Sequence, residues 1–145
     1  MERSWAYFDT SAYLKVYVKE SGSEKARKAF KTHTVLSSAM LPLECFSALS
    51  RRRQSGDLSE IELLKLRGLV RTGVRSVEII RVSDEVRAGA EAMTLRSAAR
   101  ALDAIHLASA RLFKDRTDID ILFITSDKKQ HDVALTEGFA TLFIE

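Results

Sequence analysis

The sequence predicts a single α/β domain over residues 1–145, in which helices cover both faces of a mostly parallel five-stranded sheet. Short apolar runs of strand length alternate with one or two longer segments of helical periodicity, which implies crossover connections between parallel strands. Residues 121–124 are continuously apolar, as expected for a strand buried on both faces. The single proline and six scattered glycines indicate no linker or repeat within the 145 residues.

The N-terminal half contains two predicted strands and four predicted helices. Pro42 suits the first turn of a helix, and Ser59 and Glu62 have the spacing of a capping box that opens the fourth helix. The strands are predicted at residues 6–8 and 35–38, and the first three helices at residues 11–19, 23–30 and 42–54. We expect the apolar positions of the fourth helix to face the core, namely Ile61, Leu64, Leu66 and Leu69.

The C-terminal half contains three predicted strands and three predicted helices, which brings the totals to five and about seven. Ser83 caps the first of these helices, and Gly138 ends the last one, which begins at Ser126 or Asp127. The strands are predicted at residues 77–82, 121–124 and 141–144, and the middle helix at residues 98–112.

Composition narrows the functional class. The formal charge is only +3, but the basic residues are clustered, notably at residues 25–31, 51–53 and 67–75. Such clusters suit a polyanion, although each cluster taken alone is also explained as a solvated helix face. Cys45 is the only cysteine, which excludes an internal disulfide and favours a buried, inert thiol. The chain has no apolar run of membrane-spanning length and no signal-peptide pattern, so we expect no membrane association and a cytoplasmic location.

Four acidic residues lie where apolar runs end or where a helix is otherwise apolar. They are Asp9, Glu44, Asp103 and Asp127. Because the strand ends of an open α/β sheet meet in one crevice, we expect the four carboxylates to lie close together. Mutually repelling carboxylates need a cation, and oxygen ligands suit Mg²⁺ or Mn²⁺. A divalent ion held there would activate a water and bind a scissile phosphate.

Hydroxyl side chains flank two of these acids. Thr10 and Ser11 follow Asp9, and Thr125 and Ser126 precede Asp127. They are candidates to orient the carboxylates or to contact a phosphate, and for Ser11 and Ser126 simple helix capping is an equal alternative.

Asp103 lies within an otherwise apolar helix, where a charged side chain requires compensation. An unpaired Asp103 on a buried helix face would be costly, so it either faces a crevice or pairs with a cation such as Arg100, unless it lies exposed on the helix surface. His106 lies on the same apolar helix, and we expect it to be a hydrogen-bonded structural residue rather than part of the site.

The four acids lie in four characteristic segments, which are residues 8–12, Leu43-Glu44, residues 100–108 and residues 124–128. In this order they resemble the PIN-domain ribonucleases, and in particular the VapC toxins of bacterial and archaeal toxin–antitoxin pairs. The resemblance covers nearly the whole chain, and the segment Leu-Asp-Ala-Ile-His-Leu-Ala is its most specific motif.

The resemblance implies a Mg²⁺- or Mn²⁺-dependent endoribonuclease with a three-layer α/β/α fold. It places Asp9 and Asp103 as direct metal ligands in an acidic pocket, with Glu44 and Asp127 completing the coordination directly or through water. It also implies an RNA substrate, a cognate antitoxin as partner, and a homodimer.

Two other functions remain open from the sequence. The same fold could serve as a catalytically silent module that binds RNA or a partner, although a silent site has no physical reason to retain repelling charges. A phosphatase-like enzyme with Asp9 as nucleophile is disfavoured, because Thr10-Ser11 replaces the second acid expected two residues later in the haloacid-dehalogenase pattern.

Overall fold

A computed structural model describes residues 2–145 as five parallel strands and seven helices. The strands are β1 (Trp5–Phe8), β2 (Thr34–Ser38), β3 (Val77–Ile80), β4 (Ile121–Thr125) and β5 (Ala140–Phe143). The helices are α1 (Thr10–Lys15), α2 (Ser23–Thr32), α3 (Leu41–Gln54), α4 (Glu60–Val74), α5 (Asp84–Arg96), α6 (Ala101–Thr117) and α7 (Lys128–Thr136). The predicted α/β fold with a five-stranded sheet is confirmed.

The order of the strands creates a crevice beside β1. The sheet runs β3-β2-β1-β4-β5, so the chain first moves outward from β1 to β3 and then returns to β4 on the other side. Ligands of open α/β sheets bind outside the carboxyl ends of the strands at such a switch point. Phe8 of β1 is in register with Ile124 of β4, so the segments that follow these two strands emerge next to each other.

Two apolar cores, one on each face of the sheet, hold the layers together. On one face, α1 to α4 pack against the sheet around Phe8, Tyr13 and Leu49. On the other face, α5, α6 and α7 pack around Tyr7, Leu107 and Phe123. Successive side chains of a strand point to opposite faces of the sheet, so Tyr7 and Phe8 belong to opposite cores. Both are fully buried, because β1 is the middle strand. The arrangement is the predicted three-layer α/β/α sandwich.

The predicted inward face of α4 is wrong for three of its four residues, and only Leu66 packs against the core as predicted. Ile61, Leu64 and Leu69 are exposed to solvent by 80%, 50% and 42% respectively. The helix instead turns Leu63, Leu66 and Val70 toward the core. Both sets have helical spacing, and contact with α1 and α3 selects the second.

Several predicted boundaries also shift. The first helix ends at Lys15 rather than at residue 19. The sixth begins at Ala101 rather than at residue 98 and continues to Thr117. Strand β3 ends at Ile80, two residues earlier than predicted. Over residues 2–145, none of the helices has both the length and the apolar character required to cross a membrane.

Candidate active site

A cavity of about 790 Å³ opens beside the carboxyl end of β1, and all four predicted acids line it. Asp9 follows β1, Glu44 lies in the first turn of α3, Asp103 lies in the first turn of α6, and Asp127 precedes α7. The residues therefore come from four separate segments that the sheet topology brings together.

Asp9 is the most buried of the four acids, with 4% of the residue exposed. It caps α1, since its Oδ1 accepts hydrogen bonds from the backbone N–H of Ala12 at 3.0 Å and from the Ser11 hydroxyl at 2.7 Å. Its Oδ2 accepts a hydrogen bond from the Thr125 hydroxyl. Burial raises the pKa of the Asp9 carboxyl, although these hydrogen bonds and the nearby His106 act in the opposite direction.

Glu44 forms a hydrogen bond with a buried histidine of α6, His106. Its Oε1 lies 2.7 Å from Nε2 of His106, and Nδ1 of His106 lies 2.8 Å from the Tyr7 hydroxyl. A carboxylate oxygen can only accept, so Nε2 carries the hydrogen. Burial raises the pKa of Tyr7 well above its ordinary value, so the hydroxyl keeps its hydrogen and can donate to Nδ1. This chain of contacts fixes the position of one carboxylate oxygen of Glu44.

Asp103 and Asp127 share a cationic neighbour. Arg100 Nε lies 3.4 Å from Oδ2 of Asp103, and Arg100 Nη2 lies 3.5 Å from Oδ2 of Asp127. Burial and the charge of Asp127 raise the pKa of Asp103, while Arg100 lowers it. Asp127 also caps α7, because its Oδ1 accepts hydrogen bonds from two backbone N–H groups. The Arg100 side chain itself is 69% exposed, so this bridge is open to solvent on one side.

Two of the four predicted hydroxyl residues, Ser11 and Thr125, donate hydrogen bonds to Asp9, and Ser126 lines the cavity. Ser11 donates to Asp9 and accepts a hydrogen bond from the backbone N–H of Ser126 at 2.9 Å, so it links the loops that follow β1 and β4. Thr125 is fully buried and also accepts from the backbone N–H of Asp127 at 3.0 Å. Thr10 lies 3.3 Å from Nε2 of His106. Neither Ser11 nor Ser126 caps a helix, since Asp9 and Asp127 do so.

The chemistry of these donors fits a hard divalent cation that retains water. No group of three or more His, Cys, Asp or Glu side chains within residues 2–145 is close enough to hold one metal ion. Mg²⁺, however, commonly binds through one or two carboxylates, with water and substrate phosphate supplying the other ligands. A carboxylate has about four acceptor positions, and the three hydrogen bonds to Asp9 leave one on Oδ2 available.

The charge of the cavity lining also favours a bound cation. Five carboxylates and four basic side chains line it, so a bound cation would offset the excess of negative charge. Burial disfavours the charged forms of Asp9 and Asp103, so a cation beside these two carboxylates would offset that cost.

The predicted site did not include Lys15, Arg51 or His106, although all three line the cavity. His106 is buried and hydrogen-bonded, as the sequence predicted, but one of its contacts is with the site residue Glu44. The contact of His106 with Glu44 joins residues 62 positions apart, which no local pattern reports. For Arg51, a signal did exist. It lies seven positions after Glu44, so on a helix the two share a face.

A family model described as PIN domain matches residues 6–135 of the chain. Ribonuclease VapC46 from Mycobacterium tuberculosis (strain ATCC 25618 / H37Rv) is 31% identical over 138 residues, which covers 94% of this chain and 95% of that protein.

Solved structures share the fold. The VapBC2 complex from Rickettsia felis, bound to a DNA fragment from its promoter, aligns with a TM-score of 0.67 at 11% identity and covers 97% of this chain and 99% of that chain. A toxin–antitoxin complex from Klebsiella pneumoniae aligns with a TM-score of 0.61 at 18% identity, over 86% of this chain and 88% of that chain. At such identities these two alignments establish the fold alone.

Proposed function

The chain belongs to the PIN domain family, as a VapC-type member, and from this we propose that it is a metal-dependent endoribonuclease, the toxin of a toxin–antitoxin pair. The substrate is RNA, and the reaction is hydrolysis of a phosphodiester bond in the cytoplasm. The proposal depends above all on one observation: four carboxylates from four separate segments line one cavity at the carboxyl end of β1.

We assign all four acids to the metal ion. Asp9 and Asp103 would hold Mg²⁺ or Mn²⁺, with Glu44 and Asp127 completing the coordination directly or through water. When bound, the ion supplies activation of water and neutralisation of charge on the phosphate and the leaving oxygen.

The surrounding residues keep the acids in position. Ser11 and Thr125 fix both oxygens of Asp9 by hydrogen bonding. His106 fixes Glu44 in the same way. Support of this kind around metal ligands fixes their orientation and tunes their basicity.

The comparisons also support a partner. One related structure is described as a toxin–antitoxin complex and another as VapBC2 bound to promoter DNA. We therefore extend the proposal to a cognate antitoxin that binds this chain, and to a homodimer as the form that binds it.

Cleavage of total RNA by antitoxin-free protein with Mg²⁺ or Mn²⁺ tests the activity. Mutation of residues that only support a metal ligand typically reduces activity about 10–100-fold. Loss of a ligand itself should cost at least as much, so Asp9→Asn and Asp103→Asn should each reduce the rate by about 100-fold or more. Asp115→Asn changes an exposed acid outside the cavity and should leave the rate unchanged. If either site variant cuts RNA as fast as the wild type, the assignment of the site fails.

One observation favours the catalytically silent module as a second candidate. Arg100 already bridges Asp103 and Asp127, so these two charges are partly compensated without any metal ion. Calorimetry separates the two functions. Weak binding of Mg²⁺ and Mn²⁺ together with tight binding of RNA or of a partner would favour the silent module, whereas saturable metal binding that Asp103→Asn abolishes would favour the nuclease.

A further inference from the structure

The basic side chains in the cavity are not equivalent. Lys15 and Arg52 both pair with Glu20, at 3.4 Å and 3.3 Å. Arg100 bridges two of the site carboxylates. Arg51 is the fourth basic residue of the lining, and within residues 2–145 no carboxylate lies within salt-bridge distance of its guanidinium. It is therefore the one cation among them whose charge remains free for an incoming anion.

The position of Arg51 on α3 directs it toward the same opening as the site. Glu44, Ser47 and Arg51 lie three and four residues apart, so they occupy one face of the helix. All three line the cavity. Seven residues of α-helix rise about 10 Å, so the backbone of Arg51 lies two turns away from that of Glu44. The guanidinium turns back toward Ser47, but no carboxylate lies within salt-bridge distance of it, so it occupies the same wall of the cavity without contacting the acids.

A neighbouring hydroxyl orients the guanidinium. Arg51 Nη1 donates a hydrogen bond to Ser47 Oγ at 2.8 Å. The hydroxyl is neutral, so this contact positions the guanidinium without cancelling its charge. The remaining N–H donors are available, and a guanidinium matches the oxygens of a phosphate in bidentate geometry.

We propose that Arg51, held by Ser47, forms a binding subsite for a backbone phosphate of the RNA strand that is not the one being cleaved. The inference rests on the proposed function, because it places part of the RNA substrate along the cavity of the candidate active site. Arg51 is a positioning residue: it holds the strand while the acids lie at the scissile bond.

A second exposed arginine of α3 provides a matched control. Arg53 lies two residues further along α3, is also exposed, pairs with Glu60 at 3.6 Å, and does not line the cavity. Arg51→Ala and Arg53→Ala therefore remove the same charge from the same helix, but only the first removes it from the cavity. Arg51→Lys keeps the charge and loses the bidentate geometry.

The test measures the affinity for a labelled pool of short single-stranded RNA of random sequence, in an Asp103→Asn background with Mg²⁺, across a range of salt concentrations. A hydrogen-bonded charge contact to phosphate contributes about 1.5 kcal/mol, so Arg51→Ala should raise Kd about tenfold. It should also reduce the slope of log affinity against log salt by about 0.7, the value for one lost phosphate contact on a single strand. Arg53→Ala should change neither quantity, and Arg51→Lys should restore the slope but only part of the affinity.

The outcomes separate this proposal from the proposed function. If Arg51→Ala binds RNA with unchanged Kd and slope while the protein with an intact site cleaves RNA, the subsite is wrong and the nuclease stands. If Arg51→Ala loses affinity and slope but no variant cleaves RNA, the subsite stands and the nuclease is wrong. Equal losses in Arg51→Ala and Arg53→Ala would show an unspecific charge effect and overturn the subsite.

Discussion

Asp9 carries a carboxylate at a place where the fold disfavours a charge. Burial raises its pKa above the ordinary value, so the folded chain holds this proton more tightly than the unfolded chain does. The contribution to stability is therefore complete below the ordinary pKa and is lost as the pH rises through the raised pKa. At neutral pH the ionised Asp9 destabilises the protein in exchange for an available metal ligand.

Asp9→Asn should consequently stabilise the metal-free protein at neutral pH. Asparagine caps helices as well as aspartate does, so α1 keeps its N-terminal hydrogen bond. We expect a gain of about 1 kcal/mol, or roughly 3–5 °C in Tm, in the presence of a chelator. Thermal unfolding at several pH values measures it, and the gap to the wild type should narrow as the pH falls through the acidic range. A gap that widens on acidification would contradict the sign of the argument, and Asp115→Asn serves as the control.

At the scale of single residues, the local sequence predicts which residues belong to the site better than it predicts their hydrogen-bond partners. The four acids were identifiable because strand ends and an apolar helix around Asp103 are visible in the chain. The hydrogen bond from His106 to Glu44 was not, because it requires α3 and α6 to meet across the carboxyl edge of the sheet. The pairing of Arg100 with Asp103 was predictable, since three residues of helical spacing separate them.

At the scale of elements, α4 approaches α1 and the residues that follow it at a glycine. A Cβ at Gly73 would lie 1.7 Å from the Tyr17 hydroxyl and 2.6 Å from the Tyr13 hydroxyl. Tyr13 is fully buried and its hydroxyl donates to the backbone carbonyl of Val70 at 2.9 Å, so it cannot move away freely. Gly68 lies on the same helix with open space around its Cα. The two glycines form a matched pair for measuring the contact.

Gly73→Ala should destabilise the protein by about 1–3 kcal/mol, because overpacking outweighs the higher helix propensity of alanine. Gly68→Ala should stabilise it by about 0.5–1 kcal/mol, since only propensity changes there. Urea denaturation of both variants gives the comparison. If Gly73→Ala gained as much stability as Gly68→Ala, the two helices would not be in close contact in solution.

The same helix shows why element orientation was harder to predict than element type. The capping box of Ser59 and Glu62 fixes where α4 begins, and the structure contains both of its hydrogen bonds. Two overlapping apolar stripes then compete on the helix, and its own sequence does not choose between them. The close approach of Gly73 to Tyr13 and Tyr17 favours the face that contains Leu63, Leu66 and Val70.

At the scale of the whole molecule, the strand order could not be read from the chain. Alternation of strands and helices predicts parallel pairing, but the order β3-β2-β1-β4-β5 depends on long-range contacts that place β4 against β1. That order brings residue 9 beside residues 125 to 127, as the contacts of Thr125 and Ser11 show. The candidate site is thus a product of the complete sheet, and any ligand bound there stabilises the global fold.

Metal binding should therefore raise the unfolding temperature of the whole chain. A ligand that binds only the folded state adds about 2.7 kcal/mol at a concentration 100 times its Kd, and the acids that would bind it span residues 9 to 127. Differential scanning fluorimetry with increasing Mg²⁺ or Mn²⁺ should give a saturable rise in Tm for the wild type and for Asp115→Asn. Asp103→Asn should show little or no rise. An equal rise in Tm in all three proteins would mean that the ions act on general surface charge and that the cavity is not a metal site.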